Sequence, residues 1–177
     1  MTKRLKNILL TGGIGIGKST AIGQVIEKLA LPYQGLFTER VLANGQVVGY
    51  GLTDETHTRI SVFAHKDFAS QYKLGRFGYD PLIFEKEGIA ICSALNPSTR
   101  LFVIDEIGLM EKDSPRYLKE ILRLLNSPLP LLAVVQKRAD YFWQLVKERE
   151  DVITFTVTEK NRKQIVAEIL SHIRSIV

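Results

Sequence analysis

The stretch Gly12-Gly13-Ile14-Gly15-Ile16-Gly17-Lys18-Ser19, continued by Thr20, stands between an apolar run and a helical pattern. Its glycines allow backbone conformations closed to other residues, so successive N–H groups can converge on one point. Asn7 to Thr11 reads as a short buried strand. Lys18 to Leu29 reads as an amphipathic helix, with Ile22, Val25, Ile26 and Leu29 on one face and Gln24, Glu27 and Lys28 opposite. A glycine-rich loop between a strand and a helix N-terminus gathers anions, because converging N–H groups and the positive end of the helix dipole both favour negative charge. The spacing is that of a P-loop, or Walker A motif. Residues Gly12 to Thr20 would cradle phosphate oxygens, the Lys18 ammonium would reach the β and γ phosphates, and the Ser19 hydroxyl would ligate Mg²⁺. The bland alternative is a glycine-rich turn that merely starts a helix, and the agreement of strand, loop, Lys-Ser pair and helix argues against it.

A metal held this way needs a second oxygen donor. Leu101-Phe102-Val103-Ile104-Asp105-Glu106 offers one at the end of an apolar strand, in a Walker B arrangement. Asp105 would bind Mg²⁺ through its water shell, and Glu106 would orient, or take a proton from, the water that attacks the γ-phosphate. Alone, four apolar residues and two acids are equally a strand running into an acidic loop; beside Gly12 to Ser19 they point to chemistry.

Asp105-Glu106-Ile107-Gly108 also fits the short Asp-x-x-Gly pattern of GTPases, in which the glycine N–H contacts the γ-phosphate. The guanine-reading Asn-Lys-x-Asp is absent, and Gln136-Lys137-Arg138-Ala139-Asp140 has the wrong spacing for it. Gln136 follows the apolar run Leu131 to Val135. It would reach the γ-phosphate or the attacking water if that strand lies between the two motif strands, and is otherwise a solvent-facing turn residue. Transition-state charge calls for a cation besides Lys18, and Arg40, Arg76 and Arg162 are the candidates, each with a solvated-surface alternative. His57, His65 and His172 share no metal-ligand spacing, which favours surface or packing roles, and Cys92 reads as core.

The rest of the chain alternates strands and helices. Leu101 to Ile104 and Leu131 to Val135 are unbroken apolar runs, as in parallel strands covered on both faces. Asp80-Pro81 caps and opens a helix through Ile83, Ile89, Ile91 and Cys92 despite Gly88, and Ser114-Pro115 does the same for a helix carrying Leu118, Ile121, Leu122 and Leu125. A helix at Tyr141 to Lys147, a strand at Val152 to Val157, and a last helix using Ile165, Val166, Ile169, Leu170 and Ile173 follow. Between Gln34 and His65 the texture differs: Asn44-Gly45 between apolar runs signals a hairpin, and the turn-rich 53–58 segment adds another strand. The fold class is therefore α/β, a mostly parallel sheet flanked by helices with an added antiparallel meander, and ligands collect at the carboxyl ends of such strands.

A chain of 177 residues without an internal linker suits one domain, residues 1–177. One cysteine excludes an internal disulfide and any multi-cysteine zinc site, and fits a reducing cytoplasm. The net charge of +5 is spread among acids, which speaks for a solvated surface against a nucleic-acid face, and strand-spaced Phe37, Tyr50 and Phe63 suit packing better than base stacking. The basic opening Met1 to Lys6 with Ile8-Leu9-Leu10 superficially looks like an export signal but breaks at once into Thr11-Gly12-Gly13. No segment approaches the ~20 apolar residues that span a bilayer.

Taken with Gly35-Leu36-Phe37-Thr38-Glu39-Arg40-Val41, Asp105 to Glu111 including Met110-Glu111, and Asn161-Arg162 opening the last helix, the chain resembles the small nucleoside-triphosphatase family that includes the cancer-related nucleoside triphosphatase and its archaeal and bacterial relatives. Leu36 stands between Gly35 and Phe37, a departure from the family's Gly-Phe-Thr-Glu-like strand. The resemblance implies a RecA-like P-loop NTPase that slowly hydrolyses several nucleoside triphosphates, ATP and GTP among them, with Mg²⁺. It implies nucleotide contacts on the P-loop and on Asp105, Glu106, Ile107 and Gly108. Glu111 and Arg162 match family positions without an assigned role. Lys18 and Glu106 are thus the catalytic candidates and Ser19 and Asp105 the metal candidates. Two rivals stand beside the hydrolase: a small-molecule kinase whose acceptor sits on the meander and the 73–79 region, and a nucleotide-dependent binding module that uses hydrolysis as a timer.

Overall fold

The structure, a computed structural model, describes residues 5–177. The basic opening Met1 to Arg4 lies outside the described residues. Its parallel strands are β1 (Asn7–Gly12), β2 (Tyr33–Ala43), β7 (Leu101–Ile107), β8 (Leu131–Val135) and β9 (Val152–Val157), and its antiparallel ones are β3 (Gln46–Asp54), β4 (Ser61–His65), β5 (Lys73–Leu74) and β6 (Phe77–Tyr79). All join one nine-stranded sheet in the order β5-β6-β4-β3-β2-β7-β8-β1-β9. β1 and β7, which carry the two motifs, both pair with β8 in parallel, so β8 separates them. The meander extends the sheet from β2, turning at Asn44 and Gly45, both at positive φ (50° and 75°), as a tight hairpin requires.

Alternation along the central strands explains their unbroken apolar runs. Ile8, Leu10, Leu101, Val103, Leu132 and Val134 are buried against α1 (Lys18–Leu29) and α6 (Ile165–Arg174). Leu9, Phe102, Ile104, Ala133 and Val135 face the opposite layer, built by α3 (Ile89–Ser93), α4 (Pro115–Asn126) and α5 (Asp140–Val146). Each strand feeds two cores, and a polar residue at any of these positions would be buried without a partner. Cys92 is fully buried in the second core, where burial pushes its thiol far above the ordinary range. Among the described residues no helix is long and apolar enough to cross a membrane.

Two helix starts behave differently from each other. Asp80 does cap: its Oδ1 accepts from Leu82 N at 2.9 Å, and the helix then runs through α2 (Pro81–Ile83), a π turn at Phe84–Gly88 and α3. Gly88 lets the helix pass close to Tyr117, whose ring a Cβ there would approach to 3.0 Å. Ser114 does not cap α4. Its buried hydroxyl donates to Pro81 O at 2.9 Å and so ties α4 to the start of α2. The last helix begins at Ile165 and not at Asn161-Arg162, because Asn161 holds a turn after β9: its Oδ1 accepts from Thr158 N (2.8 Å) and its Nδ2 donates to Thr156 O (2.8 Å).

Candidate active site

The loop from β1 to α1 takes the backbone its glycines permit, with φ +71° at Gly15 and +104° at Gly17, the residue that opens α1. Lys18 is folded back over this loop, its Nζ donating to Gly13 O at 2.9 Å and Gly12 O at 3.4 Å. Ser19, one residue into the helix, turns the other way and donates from Oγ to Asp105 Oδ1 at 3.1 Å. Two positions 86 residues apart in sequence therefore meet across the end of β8. Alternation does the aiming: Leu101 and Val103 face α1, and Asp105 follows them onto that face.

Glu106, the next residue on β7, has a different partner. Its Oε1 accepts from Gln136 Nε2 at 2.5 Å. Gln136 leaves the end of β8, the strand between the two motifs, so it is a site-facing residue and not a solvent-facing turn. Its backbone is fixed as well: Gln136 N donates to Ile107 O (2.9 Å), and its carbonyl accepts from Ala139 N (3.0 Å) and Trp143 Nε1 (3.0 Å).

The N–H of Gly108 donates to Glu111 Oε2 at 3.0 Å, so it is engaged within the protein, and the Gly108 carbonyl accepts from Tyr141 Oη at 2.7 Å. A Cβ at Gly108 would meet Cδ, Nε2 and Oε1 of Gln136 at 2.8, 2.8 and 3.0 Å. The glycine of the Asp-x-x-Gly pattern thus lies directly under this amide, which a larger residue would displace. Glu111, for which the sequence suggested no role, is the buried carboxylate that holds this turn.

The sequence offered Glu39 only as part of the Gly35 to Val41 stretch and His57 only as a surface or packing residue. Phe37 pairs with Asp105, and Glu39 lies two residues farther along the same face of β2. His57 Nδ1 lies 2.8 Å from Glu39 Oε1 and its ring packs on Phe37 with centroids 5.0 Å apart. The signal was the Phe37-x-Glu39 spacing beside the Asp105 strand, which becomes readable only once the two strands are known to be neighbours. Of the arginine candidates, Arg76 is committed elsewhere: it donates to Val47 O at 2.6 Å and lies over the Phe77 ring at the far edge of the sheet. Arg40 is exposed on β2, and Arg162 is exposed in the turn after β9, the neighbour of β1.

Burial raises the Asp105 carboxyl to about 6; the Ser19 hydrogen bond and Lys18 pull it down, while Glu106 and Glu39 push it up. Burial likewise raises Glu111 to about 7 against the hydrogen bonds of backbone N–H groups. Because both values lie above those of the unfolded chain, the folded protein holds protons the unfolded chain has released. That stability is fully present below about pH 4 and is lost as pH rises through 6 to 7. Asp54, Glu120 and Asp151 are held low by their partners, so their contribution is lost only in stronger acid. Without nucleotide or divalent metal, Tm should fall between pH 4 and 7, and Asp105→Asn should flatten that fall by on the order of 2 kcal/mol. Thermal melts of parent and variant across this range check it; parallel curves would show that Asp105 titrates normally.

A family model described as NTPase matches residues 7–170. Nucleoside-triphosphatase THEP1 of Natranaerobius thermophilus is 34% identical over 161 residues, covering 88% of this chain and 89% of that one. Nucleoside-triphosphatase THEP1 of Thermofilum pendens is 32% identical over 177 residues, covering 97% of each chain. The solution structure of a human cancer-related nucleoside triphosphatase matches with a TM-score of 0.83 at 25% identity, over 96% of this chain and 98% of that one.

Proposed function

The chain belongs to the NTPase family whose model spans residues 7–170, and from that premise we propose that it hydrolyses nucleoside triphosphates to diphosphate and phosphate, with Mg²⁺ and with little preference among ATP, GTP and other bases. The observation that carries the reading is the Ser19–Asp105 hydrogen bond of 3.1 Å, which joins the ends of the two motifs and leaves Glu106 beside them. We read the chain as one working unit, since every strand joins one sheet. We also propose a cytoplasmic location, where the unpaired Cys92 would stay reduced.

The residues present fit Mg²⁺. Ser19 and Asp105 offer oxygen donors side by side, and among the described residues no group of three His, Cys, Asp or Glu side chains is placed to hold a metal. A cation held by one or two protein oxygens, with water and substrate phosphates completing its shell, is the usual Mg²⁺ arrangement in phosphoryl transfer. When bound, the metal would neutralise charge on the β and γ phosphates. The protein's own work is then distinct. Backbone N–H groups of Gly12 to Thr20 bind the phosphates and Lys18 adds positive charge. Glu106 takes a proton from water as the water oxygen bonds to γ-phosphorus and the bond to the bridging oxygen breaks, releasing diphosphate.

Inorganic phosphate release from ATP, GTP, CTP and UTP tests the reading. The four rates should agree within roughly tenfold, against the 10⁴–10⁵ that a pocket hydrogen-bonding one base can impose. A phosphorylated acceptor in place of free phosphate would replace hydrolase by kinase, and a single accepted base would overturn the relaxed preference.

A further inference from the structure

Gln136 is the hydrogen-bond partner of the candidate base. Its side-chain amide donates to Glu106 Oε1 at 2.5 Å. The same amide lies flat over Gly108, where a Cβ would come within 3.0 Å of all three of its terminal heavy atoms. Behind it, Trp143 Nε1 and Ala139 N hold the Gln136 carbonyl, and Gln136 N is bonded to Ile107 O. Gly108 is in turn held from both sides, by Glu111 at its N–H and Tyr141 at its carbonyl. The backbone that carries the amide and the glycine beneath it are therefore both fixed.

We propose that Gln136 is a positioning residue for Glu106: its side-chain amide, laid over Gly108 on a backbone that Trp143 anchors, occupies one carboxylate oxygen and directs the other at the attacking water. The inference rests on the hydrolytic reading above. A carboxylate acts as a general base only when its free lone pairs meet the water's proton at hydrogen-bond distance, and a side chain free to rotate spends little time there. One donor at Oε1 fixes the carboxylate plane and leaves Oε2 open. Glycine at 108 belongs to the same device, because any larger residue displaces the amide.

The role predicts coupling. Gln136→Met keeps the length and removes the donor; it should lower kcat by roughly tenfold to a hundredfold, the range of one hydrogen bond to a charged group, with nucleotide affinity within about twofold of the parent. Gly108→Ala should do the same by displacing the amide, and serves if the first variant folds poorly. In a Glu106→Gln background, Gln136→Met should have no further effect, since the group it positions no longer accepts a proton. Single-turnover phosphate release, with fluorescent-nucleotide titration for affinity, reads all of these. If the two losses multiply, Gln136 acts on the phosphate or the fold and the proposal fails. It fails too if Gln136→Met turns over at the parent rate, or loses affinity as much as rate. If Glu106→Gln itself keeps the parent rate, the underlying hydrolytic reading is what has failed, and the positioning role falls with it.

Discussion

Glu106→Gln should bind nucleotide as the parent does while releasing phosphate about 10²–10³ times more slowly, within the range of a lost general base. The substitution is isosteric, and Gln136 Nε2 can still donate to the new carbonyl oxygen as it does to Oε1 at 2.5 Å. The geometry of the turn therefore survives and only basicity is removed. The Ser19–Asp105 contact is untouched, so the metal corner remains. Losing the Glu106 charge also relieves one of the repulsions that hold the Asp105 carboxyl up, which favours its ionised, metal-binding form. Affinity for nucleotide with Mg²⁺ should then be equal or slightly tighter, and a fall in both affinity and rate would contradict the division of labour between the two acids. Phosphate release within about twofold of the parent would remove Glu106 from the reaction.

The pair of acids at the end of β7 was readable in the sequence because it depends on local pattern. A strand of period-free apolar residues ending in Asp105-Glu106 announces a central parallel strand, but not where each acid points, since the register shifts between Ile104 and Ile107. The glycine loop was equally local, fixed by its spacing and by the amphipathic helix after it. What could not be read was any feature that depends on strand order. Gln136 had two open readings until β8 was found between β1 and β7. Glu39 could be quoted in its motif but not placed near Asp105, because the Asp105 strand, its neighbour across the sheet, lies more than sixty residues on. Ser114 shows the opposite failure: its position before Pro115 is a strong capping signal, but a buried hydroxyl beside Pro81 O forms the tertiary bond instead. Gly108 invited a GTPase analogy because a motif names a residue and not the reason for it. The steric reason, the Gln136 amide, comes from another strand.

Lys18→Met should abolish binding, lowering kcat/KM by about 10²–10³ or more, the cost of removing one donor from developing phosphate charge. It should do so without harming the fold. Lys18 is only 8% exposed, and its ammonium is held by two loop carbonyls with no carboxylate in hydrogen-bond contact. A buried cation so partnered is costly to the folded chain, and an apolar side chain of similar length removes that cost. The nucleotide-free variant should therefore melt at or above the parent temperature. Nucleotide at 100 times its Kd should stabilise the parent by about 2.7 kcal/mol, and should leave the variant unmoved. Asp105→Asn raises stability near neutral pH for the same reason, because burial holds that carboxyl up to about 6. Both motifs thus place charges where the fold alone would not keep them. If Lys18→Met instead lowered Tm while nucleotide still shifted it, Lys18 would belong to the scaffold of the loop, and phosphate binding would rest on the backbone N–H groups alone.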